Sequence, residues 1–137
     1  MIWLNKEDFE VQIKEDVLNR VSSDNDAILQ DAERMAISEI QSYLRPKYDL
    51  DITFSTIGSE RHETIVMLTV DILLYHLHSR IPGGKNSQIR TDRYNEAKRI
   101  LEGIVKGIID LGLPRRVDDK GEVSGRLIWG SDKRREY

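Results

Sequence analysis

The chain has 137 residues, no cysteine, 33% charged residues and a formal net charge of −3. That length suits one domain with a core of its own, and the lack of cysteine excludes a disulfide framework and thiolate chemistry. The near-even charge balance excludes the broad basic excess of a dedicated nucleic-acid reader.

The start, Met1-Ile2-Trp3-Leu4-Asn5-Lys6-Glu7, has no basic region followed by an apolar run, so no secretory signal is expected. No apolar stretch reaches the roughly eighteen residues of a membrane span, so no membrane association is expected. Residues 5–21 read as a short helical start. Asn5 serves as N-cap, and Glu7 and Asp8 stand in the first turn, where the helix dipole favours acids. Phe9, Ile13, Val17 and Val21 share one stripe. Val11 and Leu18 lie off it, which allows a break into two pieces.

Ser22-Ser23-Asp24-Asn25-Asp26 is a polar break rich in capping residues. A second helix is predicted over 26–44, with Leu29, Ala32, Ala36, Ile40, Tyr43 and Leu44 on its buried stripe. Gln30, Glu33, Arg34 and Gln41 occupy its polar side. Pro46 ends it. Residues 46–59 read as a loop, in which Ile52 and Phe54 alternate with polar residues either as a short strand or as an anchored loop. The third helix, about 59–80 and capped near Ser59, is apolar nearly all round from Ile65 to Leu77 and is therefore the central one. Pro82-Gly83-Gly84 ends it. Ser87 opens a fourth helix, about 87–110, whose stripe is Tyr94, Ala97, Leu101, Ile104, Val105 and Ile108. Arg90, Arg93 and Arg99 are among the residues that cover the rest. Gly103 and Gly107 weaken this helix but admit close approach of a neighbour. The fold class is all-α: a small bundle of about four helices with an irregular or short β-hairpin C-terminal tail. The domain division is 1–113, a helical domain, and 114–137, a C-terminal extension.

Charge is uneven along the chain. Residues 1–33 carry nine acids against three bases, whereas residues 114–137 carry seven bases against five acids. Such a front and tail favour head-to-tail contact between copies; the plainer reading is two solvated surfaces.

The candidates for chemistry are few. His76 and His78 are two apart and point to different sides of a helix, so they cannot share one metal ion. His62-Glu63 lacks the second histidine of a zinc-protease motif, since Val66 stands in its place. Gly83-Gly84-Lys85-Asn86 follows a helix and lacks the first glycine and the Ser or Thr of a phosphate loop, so it reads as a turn. Asp71 sits within the apolar third helix. It reads as a structural buried charge paired with an arginine or hydrogen-bonded to Tyr43, Tyr48 or Tyr94, because no nucleophile or second carboxylate is placed to work with it. Arg115-Arg116 and Lys133-Arg134-Arg135 are too short and too diluted by acids to read DNA specifically. No catalytic, cofactor-binding or metal-binding residue is assigned, and no cofactor is expected.

Three blocks carry a family resemblance: Ala32 to Tyr48 (AERMAISEIQSYLRPKY), Arg61 to Arg80 (RHETIVMLTVDILLYHLHSR) and Arg93 to Pro114 (RYNEAKRILEGIVKGIIDLGLP). The first ends in Tyr43-Leu44 and Lys47-Tyr48, the second carries Asp71 and ends at Arg80, and the third runs from Arg93-Tyr94 to Leu111-Gly112. Together they resemble the head–tail connector (adaptor) proteins of Mu-like phages and prophages over about residues 1–114. The tail from Trp129 to Arg135 is similar to versions of that family ending in a Gly-Ser plus basic segment.

The resemblance implies a non-enzymatic structural protein of the virion, at the junction of capsid and tail, assembled in the bacterial host cytoplasm. It implies a homo-oligomeric ring, of about twelve copies, under the portal. The implied partners are the portal protein, the next neck or tail-completion protein, further copies of the chain, and DNA passing through the channel in weak non-specific contact. Leu127, Ile128 and Trp129, with Arg134, Arg135 and Tyr137, are the expected protein-interaction residues, since aromatic anchors commonly dominate interfaces. The alternative is a small helical DNA-binding or regulatory protein, for which Arg90, Arg93, Asn95 and Arg99 of the fourth helix are the only candidate readers.

Overall fold

The computed structural model describes residues 1–80 and 88–117. Five α-helices appear there: α1 (Glu15–Val21), α2 (Asp26–Leu44), α3 (Leu50–Ser55), α4 (Glu63–Ser79) and α5 (Gln88–Val105), with short 3-10 turns at Lys6–Phe9 and Gly58–Glu60. The long helices α2, α4 and α5 pack on one another, so the molecule is a small all-helical bundle. No described helix is long and apolar enough to cross a membrane.

The centre is α4. Ile65, Leu68, Ile72, Leu73 and Leu74 are at most 0% exposed, as expected of a helix that is apolar on nearly every side. Against it α2 presents Leu29, Ala36, Ile40 and Leu44, and α5 presents Ala97, Leu101 and Ile104. The stripe of α2 is the one the spacing predicts. Its start is fixed by Asn25, whose side-chain oxygen accepts the Ala27 N–H at 2.9 Å.

Several boundaries differ from the periodicity. The 5–21 segment does break in two, and the break re-phases its stripe. Leu18 is buried with Phe9 and Val21, while Val11 is 93% exposed. Residues 50–55 form a helix, not a strand or loop. Asp49 caps it by accepting the Ile52 N–H, and Leu50 and Thr53 then share the inward side. Helix α4 starts at Glu63 rather than near Ser59, because Gly58 takes a φ of +66° and Arg61 and His62 are extended.

Helix α5 stops at Val105, five residues before the predicted end. Gly107 adopts a φ of +79°, its N–H bonds to the Ile104 carbonyl, and the Ile108 N–H bonds back to Gly103. This is the glycine-terminated helix end that satisfies otherwise orphaned carbonyls. The chain then folds back so tightly that a Cβ on Gly103 would lie 2.6 Å from Ile109 Cδ1. The close approach at Gly103 therefore comes from its own returning chain, not from a neighbouring helix. As a result Ile108, predicted as core, is 78% exposed and Val105 is 38% exposed.

The return brings residues 114–116 beside the end of α2. The Asp49 N–H donates to the Pro114 carbonyl at 2.8 Å and the Arg116 N–H to Lys47 at 3.0 Å, with an isolated antiparallel bridge between Tyr48 and Arg115. The first residues of the expected extension are thus hydrogen-bonded to the helical body. The hairpin expected near Asp119–Gly121 lies outside the described residues.

Candidate interaction surfaces

Asp71 is 3% exposed in the face of α4 that meets α5. Arg93 holds it in a fork, Nε to Oδ1 at 3.1 Å and Nη2 to Oδ2 at 3.0 Å. Burial pushes its carboxyl pKa up, and the hydrogen bond and charge of Arg93, with the charge of Arg90, offset only part of that. The partner is an arginine rather than any of Tyr43, Tyr48 or Tyr94, and the pair ties α4 to α5. Arg90 is itself 7% exposed. Its Nη2 donates to the Gln12 carbonyl at 3.2 Å, which fastens the N-terminal segment to the start of α5.

The sequence reading placed Arg90 on a covering surface and Glu33 on a polar one, and both are buried. Glu33 accepts backbone N–H bonds from Ile2 (2.8 Å), Trp3 (3.0 Å) and Leu4 (2.6 Å). Arg61 adds a second clamp. It forks Asp8 at 2.7 and 2.9 Å and donates to the Trp3 carbonyl at 3.1 Å. Periodicity gives no sign of a carboxylate that binds backbone far away in sequence. Only the acid-rich capping pattern around Asn5 and Asp8 hinted that the segment is anchored.

The histidines go to separate partners. His76 Nε2 lies 3.1 Å from Glu39 Oε1, His78 Nδ1 meets the Leu74 carbonyl at 2.8 Å, and His62 Nε2 meets the Leu111 carbonyl at 2.8 Å. Tyr75 and Tyr94 stack beside His76 with centroids 4.0 Å apart. Burial and then the Glu39 carboxylate push the Tyr94 hydroxyl pKa well up. Among the described residues no three His, Cys, Asp or Glu side chains converge as metal ligands would. The glycine turn at residues 83–86 lies outside the described residues.

Of the four candidate readers on α5, Arg90 is buried and Arg93 is forked onto Asp71, whereas Asn95 is exposed and Arg99 pairs with Glu96 at the surface. The expected interaction residues Leu127, Ile128, Trp129, Arg134, Arg135 and Tyr137 all lie outside the described residues.

Two surfaces remain, and they draw in part on the acidic front and the basic tail of the sequence. The first lies where α2 and α5 both end. Lys47 Nζ donates to the Val105 carbonyl at 2.8 Å, and Arg116 Nε donates to the Arg45 carbonyl at 3.0 Å. This brings Arg45, Lys47, Lys106, Arg115 and Arg116 to one corner around exposed Ile108 and Val117. Acids are interspersed there: Asp49 and Asp51 line a recess with Arg45 and Arg116, and exposed Glu102 and Asp110 flank Lys106 and Ile108 along the chain. The signal for it was present in the sequence as Gly107, whose positive φ takes Ile108 out of the helical stripe.

The second surface lies between the first 3-10 turn and α1. It is a cleft of about 180 Å³ with Phe9, Ile13 and Leu18 in its floor and Glu7, Glu10 and Glu15 on its rim, Lys6 being the one cation among the lining residues. Val11, 93% exposed, stands next to it in sequence.

A search of curated proteins found no match for the chain. The model of the family described as Bacteriophage Mu, Gp36 matches residues 3–127. The match takes in all three resembling blocks and runs past the residue-114 limit of the resemblance, ending at Leu127 and short of Trp129. It covers well over half of the sequence, and the chain belongs to the Bacteriophage Mu Gp36 family.

Proposed function

We propose that this phage protein is a head–tail connector: a non-enzymatic adaptor that forms a ring on the portal, extends the DNA channel and presents a docking surface to the next neck protein. The observation that carries this reading is the match to a Mu phage family over residues 3–127. The three blocks that resemble connectors also supply the three helices that build the core, α2, α4 and α5. The ionisable side chains in the interior are spent on holding segments together. Asp71 joins two helices, and Glu33 and Arg61 hold the N-terminus. The setting of this role is the virion, with assembly in the host cytoplasm, and DNA contact is weak and non-specific.

The test is co-purification with the portal protein of the same phage genome, read by negative-stain microscopy and native mass. A connector adds a ring of fixed copy number, about twelve by resemblance. Absence of any complex across salt and stoichiometry overturns the reading. Truncation after Val117 keeps the strands of chain that bond to Lys47 and Asp49, so it leaves the bundle folded. If the tail docks through Leu127, Ile128 and Trp129, that truncation abolishes tail-side docking. Docking that survives it removes the tail from the function.

A further inference from the structure

Helix α2 carries a second line of residues besides its core stripe. Ile28, Asp31, Met35, Ser38, Ser42 and Arg45 recur at steps of three and four, so they run down one side of the helix. The line changes character along its length. Its first half borders a groove of about 440 Å³ between α2 and the end of α4, where Ile28, Ala32 and Met35 make an apolar wall opposite His76, Ser79 and Arg80. Met35 is 53% exposed there. The second half, Ser38, Ser42 and Arg45, borders a polar recess that also takes in Arg116. The described chain reaches Val117 beside this recess, because Arg116 Nε donates to the Arg45 carbonyl. Residues 118–137 follow from that point.

The order of polarity in those residues matches the order along the line. Residues 118–126 are polar or glycine apart from Val123, and Leu127, Ile128 and Trp129 come after them. The lengths match as well. From Arg45 it is ten residues back to Met35 and seventeen to Ile28, about 15 and 25 Å at the α-helical rise. The eleven residues from Arg116 to Leu127 span up to about 36 Å when extended. We infer that Leu127, Ile128 and Trp129 seat in the α2–α4 groove of the chain that carries them. Apolar area selects this occupant, since a buried indole alone removes about 150–250 Å² from contact with water. Charge does not select it, because Asp31 and Arg80 both border the groove. The tether holds the triplet near the groove at an effective concentration on the order of millimolar, so a modest affinity fills the seat. The seat belongs to the free chain and goes beyond the connector reading. A partner that docks on the same three side chains has to displace them first, and that consequence alone rests on the connector reading.

The test uses the full chain. It has no cysteine, so Ser131→Cys supplies a single site for a nitroxide next to the triplet. Amide signals of Ile28–Met35 and His76–Arg80 are expected to lose most of their intensity relative to the reduced nitroxide, while those around Ile52 and Ile57 keep theirs. Adding Met35→Glu is expected to restore the intensity along the groove, and adding Met35→Leu to leave it lost; thermal melts of both establish that the fold is kept. Intensity retained along the groove, a loss centred on another surface, or a loss indifferent to Met35→Glu overturns the seat. An equal mixture of isotope-labelled chain without the nitroxide and unlabelled chain with it is expected to keep its groove signals. Their loss in the mixture makes the occupant the tail of a second copy and overturns the seat within one chain. Portal co-purification is a separate readout: its failure sinks the connector and leaves the seat standing, and an empty groove on a chain that still adds a ring to the portal does the reverse.

Discussion

The N-terminal segment and the three-helix bundle are held by different physics. In the bundle, α4 buries apolar side chains on nearly all sides, and its stability comes from area removed from water. Residues 1–12 also contribute buried side chains, Trp3, Leu4 and Phe9. Their position, however, is set by polar bonds: three backbone donors on Glu33, a forked Asp8–Arg61 pair, and Gln12 on Arg90. Apolar burial is non-directional, whereas these bonds fix register. A chain built this way should lose its core all at once but lose its N-terminal segment alone.

The largest effect belongs to the core. Leu73 in α4 is fully buried, and Leu73→Ala removes transfer energy and leaves a cavity, for about 3–4 kcal/mol. Denaturant melts should show the whole described body destabilised together, with fluorescence and circular dichroism coinciding. Divergent transitions would show that the bundle is not one cooperative unit.

Glu33→Ala should separate the two regions. It strips the acceptor from three backbone donors, of which those on Trp3 and Leu4 are buried. Leaving such groups unmet costs about 1–3 kcal/mol in a fixed structure, and the segment escapes most of that by lifting off. The expected result is a loss of about 2–3 kcal/mol, with amide exchange at Ile2–Leu4 rising far more than in α4. In a Trp129→Phe background, Trp3 emission should shift to the red. Equal exchange increases in α4 would mean that the segment and the bundle melt as one.

Sequence periodicity was informative where the bundle's physics operates and silent where the segment's does. The stripe of α2 and the burial of α4 follow from spacing alone, because burial of a helix face repeats every 3.6 residues. Glu33 and Arg90 were misread as surface, since each answers to backbone atoms roughly thirty or more positions away, which no local period encodes. Asp71 stood out because a carboxylate inside an apolar run demands a partner. Its partner was left open between an arginine and three tyrosines, because spacing along the chain does not say which distant side chain faces it. The exposed Ile108 was misread because one glycine reverses the backbone before the stripe is complete.

The two aspartate–arginine forks extend the comparison to acid. Burial raises the Asp8 carboxyl, but the Arg61 hydrogen bond, the Asn5 N–H and the Arg61 charge outweigh it, so its pKa sits below the ordinary 3.8. The stability Asp8 contributes is therefore fully present above 3.8 and lost as pH falls through its lower folded value. Asp71 is shifted the other way by burial. The folded chain takes up its proton first, so between 3.8 and the raised value its contribution grows as pH falls. Asp8→Asn should cost about 1 kcal/mol at neutral pH, with the gap to the unaltered chain closing below pH 3.8. A gap that stays constant in acid would show that Asp8 matters for its shape and not for its charge.

The smallest expected change is a gain, at the joint between the two regions. Ser23 and Asp24 connect α1 to α2 with φ values of 57° and 53°, a left-handed conformation that disfavours residues with a Cβ. The turn is worth keeping because it satisfies the end of α1: the Asp24 N–H bonds to Asn19 at 2.7 Å and the Ser23 N–H to Arg20 at 3.1 Å. Ser23 occupies the position where helices most often place glycine. Ser23→Gly relieves the strain while giving the unfolded chain more freedom, leaving a net stabilisation of about 0.5 kcal/mol. Ser23→Ala keeps the strain and brings no such gain. If the alanine variant gains as much as the glycine variant, the left-handed joint is not what strains this connection, and the segment's hold on the bundle rests on its side-chain clamps alone.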